Sequence, residues 1–452
     1  MSYQAAIDSL HALTPELLTK PGEPRRKFSL DQVRILLESL SNPHLAFRSV
    51  LIAGTNGKGS TAATLESILR AAGLRTGLYT SPHLERVNER ICVRGDEIAD
   101  VDFARLYFRV HAAAEGLVSS GRLPTIPSFF ELLTAVGFLH FAEQKVELAV
   151  LEVGMGGRLD ATNVVDPLLS IVTDISLDHQ QWLGETIALI TREKAGILRK
   201  HGTLVTLPQH PDANQVLGEV AMELGVRGVS AAAFMPPQGA AQTDSYSVEA
   251  LGVAIRIQPA LVGLHQQRNL ALAVAAAVEL AEHHGLPITP AAIEQGVAEV
   301  RWPGRLEPFG SVAETLATGS PLWLLDVAHN PAGAWALRSG LAAVGSQLTP
   351  QTLVFSCLND KPVDEMARIL FPLFDRVLLP PISSPRATSV DQMLLSASST
   401  GVLAEPASSV AHALDRAEAL TRGGRIVVAG SVYLVGEARP LVRARFAARC
   451  GA

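Results

Sequence analysis

The chain has 452 residues, 48% hydrophobic and 18% charged, enough apolar material for two separate cores. Its 38 Lys and Arg against 44 Asp and Glu leave a net charge of −6 with no basic block, which argues against a nucleic-acid surface. Cys92, Cys357 and Cys450 are scattered, with neither metal-like spacing nor a disulfide framework, and point to a reducing compartment. The first residues, Met1-Ser2-Tyr3-Gln4-Ala5, lack the charged-then-apolar plan of a signal peptide, and no apolar run approaches a membrane span. The expectation is a soluble, cytoplasmic protein with no membrane or nucleic-acid partner.

Short apolar runs read as strands at 49–53, 76–79, 148–152, 168–173 and 203–207, with helical periodicity over 102–120 and 129–144. Residues 228–242 read as a mobile loop, 245–257 as a small antiparallel excursion, and 267–284 as an Ala-rich helix. Pro303 and Gly304 break the periodicity, which puts a boundary between a domain of residues 1–299 and one of 300–452. Beyond it the alternation resumes, with strands at 322–326, 352–356, 376–379 and 425–429 and helices from 331, from 363 and near 407–421. The fold class is therefore α/β: a P-loop-containing, mostly parallel sheet domain followed by a smaller Rossmann-like domain.

The residues Gly54-Thr55-Asn56-Gly57-Lys58-Gly59-Ser60-Thr61 stand between a buried strand and a helix. Glycines let successive N–H groups and a helix N-terminus face an anion, and Lys58 adds a full charge, so this turn predicts an ATP site. Its variable part is shorter than in the general P-loop pattern, and Gly59 separates Lys58 from Ser60. Glu152 ends a run of four apolar residues, where a magnesium ligand beside phosphates is needed. Asp178-His179 follows a second buried strand, and with Glu152 it could hold two divalent ions. Read from the residues alone, Ser81-Pro82-His83 is equally an ordinary turn, Lys194 a solvated charge, and Asn269 a helix cap. Arg305, Asp326, His329 and Ser431 sit where strands of the second domain end, and Arg305 suits bidentate phosphate contact.

Together these residues resemble the folylpolyglutamate synthase and dihydrofolate synthase family, bifunctional bacterial type, within the Mur ligase superfamily. The resemblance runs from about residue 28 to 436 and rests on 53–61, 81–84, 151–163, 178–179, 192–197, 263–269, 301–307 and 326–331. It implies an ATP-dependent ligase that phosphorylates a carboxylate and lets the glutamate amine attack the acyl phosphate. By position, Lys58 and the loop N–H groups would hold the β- and γ-phosphates, Ser81 and Glu152 a first Mg²⁺, and His179 a second, with Ser60 the alternative hydroxyl ligand. Lys194 matches a lysine that is carbamylated in the family and then ligates metal. Asn269 matches an adenine contact, Arg305 a phosphate contact and Asp326 a nucleotide-side position, while His329 and Ser431 match residues tied to glutamate.

Asp160 matches a contact to dihydropteroate, and Phe129 or Phe130 could stack on an aromatic ring or pack in the core. The implied substrates are ATP, L-glutamate, dihydropteroate and reduced folates, within folate biosynthesis and one-carbon metabolism. The implied protein is a monomer whose two domains close on ligand, pivoting near residues 299–303. One activity alone, a Mur-type peptidoglycan ligase, and a nucleotide-binding protein that has lost ligation are the alternatives.

Overall fold

The computed structural model describes residues 2–13, 29–237, 239 and 245–449. They form two compact units: Met1–Pro236 with Tyr246–Ile257 and Arg268–Val300, and Arg301–Ala452 with Pro237–Ser245 and Gln258–Gln267.

The first unit is built on eight strands: β1 (Arg48–Ala53), β2 (Thr76–Tyr79), β3 (Ile91–Val93), β4 (Asp96–Glu97), β5 (Leu148–Glu152), β6 (Leu169–Val172), β7 (Thr203–Thr206) and β8 (Arg227–Ser230). Their order across the sheet is β4-β3-β2-β5-β1-β6-β7-β8. All but the β3 and β4 edge run parallel. The central strands are apolar without alternation because helices cover both faces; every residue of β5, including Glu152, is buried. Helices Asp100–Ser119 and Phe129–Glu143 bring Phe103, Tyr107, Phe138 and Phe141 into the core.

Strand ends decide what shares an edge. In the registers, Ile52 lies beside Glu152, Tyr79 beside Leu151, and Ala53 beside Val172. The segments following β2, β5, β1 and β6 therefore emerge side by side at the carboxyl edge, where open α/β sheets bind ligands. Glu152 and the 174–179 segment share that edge, separated by β1.

The alternation at 245–257 is a hairpin of β9 (Tyr246–Ala250) and β10 (Val253–Ile257), turning at Leu251 and Gly252, both with positive φ. The loop expected over 228–242 begins instead as β8 and a 3₁₀ turn at Ala231–Phe234, while positions 238 and 240–244 lie outside the described residues. β8 escaped the sequence reading because its burial is weak and a glycine interrupts it.

The second unit carries β11 (Glu307–Phe309), β12 (Leu322–Asp326), β13 (Gln351–Phe355), β14 (Arg376–Leu379), β15 (Leu403–Pro406) and β16 (Arg425–Ala429), in the order β11-β12-β16-β13-β14-β15. Only β11 is antiparallel. Helices such as Pro331–Ala343 and Val363–Leu370 bury Leu337, Leu341, Met366 and Leu370 against it, a Rossmann-like layering. Among the described residues, no helix is long and apolar enough to cross a membrane.

Candidate functional site

The glycine turn after β1 is set by its neighbours in the segment just beyond β6. Thr55 and Asn56 both donate their N–H groups to the carbonyl of Asp174, at 2.9 and 3.2 Å. Thr55 Oγ1 bonds the carbonyl of Ser176, and Thr173 Oγ1 donates to the carbonyl of Asn56. Gly57 then caps the Lys58–Ala71 helix at φ 88° with no side-chain cap, and Thr61 N–H is already bonded to the Gly57 carbonyl. The first N–H groups of a helix have no intrahelical partner. So the turn offers an anion the N–H groups of residues 57–60, not those of all eight residues in the motif. Thr61 itself is wholly buried and stands behind the site.

Two glycines are dictated by close approach. A Cβ on Gly57 would overlap Asn269 Oδ1, and one on Gly54 would overlap Thr173 Oγ1, both at positive φ. Asn269 is therefore no cap. It lies inside the Leu264–His284 helix, buried, with its amide against the phosphate turn. Arg268, one residue earlier, forms a bidentate ion pair with Asp174 at 2.8 and 2.6 Å, bracing the carbonyl that holds the turn. Asp174, Thr173 and Arg268 are supports that motif reading missed, although Asp174 at a strand end next to Asp178-His179 was a usable signal.

Lys58 Nζ donates to the Thr55 carbonyl at 3.2 Å and lies 3.9 Å from Glu152 Oε1. Glu152 Oε2 accepts the N–H of Ser81 at 3.0 Å, which joins the 81–84 turn to the site as more than an ordinary turn. Lys194 overturns the solvated-charge reading. It is 4% exposed, and its Nζ donates to the carbonyl of Gly54 at 2.7 Å. Burial, with the nearby Lys58 charge, pushes its pKa down to about 7, so the amine is readily neutral. His179 takes φ 50° just before the Gln180–Leu183 helix, its N–H bonded to Asp178 Oδ1.

Among the described residues, no three His, Cys, Asp or Glu side chains converge as a metal-binding group. Glu152 and Ser81, joined at the phosphate-turn edge, present the hard oxygens that suit Mg²⁺, an ion that takes few protein oxygens and fills its shell with water and phosphate. His179, by contrast, presents a ring nitrogen.

Asp160 has both carboxylate oxygens committed within its own loop. Oδ2 accepts Gly154 and Met155 N–H, and Oδ1 accepts the Thr162 N–H and hydroxyl. Burial raises its pKa. Its place is thus to fold the glycine loop after Glu152. Asp160→Asn puts an amide NH₂ where N–H donors point. The expected outcome is a loss of about 1–3 kcal/mol for each donor left unpaired, measured by urea unfolding. Nearby, Phe129 and Phe130 begin the Phe129–Glu143 helix behind a Ser128/Glu131 capping box and remain only partly buried.

In the second unit, Asp326 is likewise spent on backbone: Oδ2 accepts Leu306 N–H and Oδ1 accepts Ala328 N–H, each at 2.9 Å. Arg305 donates to the Gly304 carbonyl, and Glu307, paired with Arg439, accepts Gly304 N–H. His329 Nδ1 bonds the Val327 carbonyl at 2.9 Å beyond β12, and Ser431 Oγ accepts Leu434 N–H beyond the adjacent β16. His329 and Ser431 therefore follow neighbouring parallel strands at one sheet edge.

Residues 304–432 match the family model for the Mur ligase glutamate ligase domain. The chain is 36% identical over 393 residues to a folylpolyglutamate synthase of Lacticaseibacillus casei, covering 86% of this chain and 87% of that one. It is 31% identical to the dihydrofolate synthase/folylpolyglutamate synthase of Escherichia coli, covering 98% and 96%. A Mycobacterium tuberculosis folylpolyglutamate synthase solved with ADP and AMPPCP superposes at a TM-score of 0.85, 32% identity, and coverage of 97% and 98%. An E. coli FolC structure with DHPP and ADP gives a TM-score of 0.81 at 28% identity, covering 97% of this chain and 98% of that one. With these relatives matched over nearly the whole chain, the protein belongs to the folylpolyglutamate synthase/dihydrofolate synthase family of ATP-dependent ligases.

Proposed function

We propose that this protein adds L-glutamate to dihydropteroate and also to reduced folates, each through an acyl phosphate. The observation that carries the reading is the carboxyl edge of the first sheet. There the free N–H groups of residues 57–60, Lys58, Glu152 and a buried amine at Lys194 all surround one phosphate turn.

The carboxylate of the acceptor and the γ-phosphate of ATP repel each other, so their approach needs cationic groups fixed in advance. Lys58, held by the Thr55 carbonyl, and the helix N-terminus hold the phosphate oxygens in line. Bound Mg²⁺ would neutralise phosphate charge, one ion held by Ser81 and Glu152 and a second by His179; a carbamate on Lys194 would add an oxygen ligand. The acceptor carboxylate oxygen attacks the γ-phosphorus and ADP leaves. The amine of glutamate then attacks the acyl carbon, phosphate departs, and the amine loses its proton. Arg305 is assigned to phosphate, Asn269 to adenine, and His329 and Ser431 to glutamate. Asp160 is assigned to the acceptor and Asp326 to the nucleotide side, and both carboxylates also shape their loops. The protein acts in the cytoplasm as a monomer.

The test is mass spectrometry of products from the full chain with ATP, Mg²⁺ and glutamate, given dihydropteroate in one reaction and tetrahydrofolate in another. Both acceptors gaining glutamate is the expected result. Elongation of one acceptor alone would reduce the reading to a single activity, and no product from either would sink it.

A further inference from the structure

Arg90 is a buried arginine whose guanidinium meets, among its contacts, an imidazole and an aromatic ring. It ends the 3₁₀ turn Val87–Arg90, just before β3 pairs with β2, and its carbonyl accepts Thr80 N–H at 3.1 Å. Its Nε donates to His83 Nδ1 at 2.9 Å. An Nδ1 that accepts leaves the imidazole proton on Nε2. The guanidinium carbon also lies 5.2 Å from the centre of the Phe129 ring, in cation–π range.

These contacts close a circuit beside the phosphate turn. His83 lies two residues beyond Ser81, whose N–H holds Glu152. Phe130, next to Phe129, meets the Tyr79 ring edge-on at 6.0 Å. It also packs on Gly154 so closely that a Cβ there would sit 2.6 Å from its Cζ. Gly154 is two residues past Glu152. Arg90 thus ties an aromatic wall to the turn and the loop that flank Glu152 on either side.

We propose that Arg90 is a positioning residue for the acceptor: it fixes the Phe129 ring as a stacking face for a flat aromatic acid, at a set distance from the Ser81–Glu152 pair. The guanidinium lies over the ring, and the part of the ring that burial leaves exposed meets the acceptor's ring system. This rests on the ligase reading above. It adds a reason for selecting an aromatic acid over an aliphatic one, because the stacking wall and the phosphate-side carboxylate belong to one rigid unit.

The test compares wild type, Arg90→Met, Arg90→Lys, Phe129→Leu and the Arg90→Met/Phe129→Leu pair, reading KM for dihydropteroate separately from KM for ATP and from ADP affinity. Arg90→Met is expected to raise acceptor KM about tenfold, the scale of a desolvated cation–π contact, while ADP affinity holds. Arg90→Lys recovers little, because an ammonium cannot both lie over the ring and meet His83 in plane. In the pair, Arg90→Met adds nothing to Phe129→Leu, since both break one contact. Should Arg90→Met not fold, His83→Phe removes the same tie from its other end. Unchanged acceptor KM, or effects that multiply in the pair, would overturn the inference. If wild type elongates neither acceptor, the ligase reading fails separately. The tie is then judged by the Arg90→Met crystal structure, in which an unmoved Phe129 ring and 81–84 turn would refute it.

Discussion

Lys194→Met is expected to lower ligation on the order of 10²-fold or more while leaving ADP affinity nearly unchanged, the scale of losing one preorganised electrostatic contact. The reason lies in its burial. An amine pushed down from 10.5 to about 7 is substantially neutral at neutral pH, and a neutral amine adds to CO₂. The nitrogen lone pair bonds the carbon, and a proton leaves to solvent. Wild-type activity should therefore fall in CO₂-depleted buffer, return on adding bicarbonate, and rise with pH through about 7. A ¹³C-bicarbonate NMR signal lost in Lys194→Met would identify the adduct. Full activity of Lys194→Met would sink the carbamate assignment.

The same shift has a stability consequence whose sign is fixed. The pKa is lower folded than unfolded, so between about 7 and 10.5 the unfolded chain binds more protons. Stability contributed by this group rises with pH across that window. Without CO₂, Lys194→Met should melt higher than wild type at pH 7, and the gap should narrow as pH rises.

The second large effect is expected at Gly57→Ala. A left-handed φ costs a non-glycine residue roughly 1–2 kcal/mol, and the new methyl would also overlap Asn269 Oδ1. Both faults fall on the residue that presents the open N–H groups. Nucleotide binding by calorimetry should become undetectable at concentrations that saturate wild type, and the melting temperature should drop. Adding Asn269→Ala removes the overlap but not the φ strain, so part of the stability returns without normal binding. Wild-type ADP affinity in Gly57→Ala would mean that nucleotide does not sit on this turn.

The glycine turn was legible because its chemistry is local: three glycines, a lysine and a helix start lie within eight residues. Glu152 was legible for a similar reason, an acid closing a buried strand. Lys194 stood out only through the family resemblance, since nothing nearby in sequence says that Nζ reaches Gly54 some 140 positions away. That Asp160 and Asp326 also turn their oxygens to their own loops was not legible, because motif matching identifies residues and not the direction of their oxygens. Strand order was equally hidden. That β1 lies between β5 and β6 depends on crossovers, which periodicity does not encode.

The carbonyl of Asp174 that accepts both Thr55 and Asn56 N–H has a kinetic meaning. Contacts within the protein itself hold the backbone of this turn, so an anion captured there would cost little ordering entropy. Association should then be fast and nearly independent of temperature. Damage at the tip of β6, far from any phosphate oxygen, should appear chiefly as a slower on-rate.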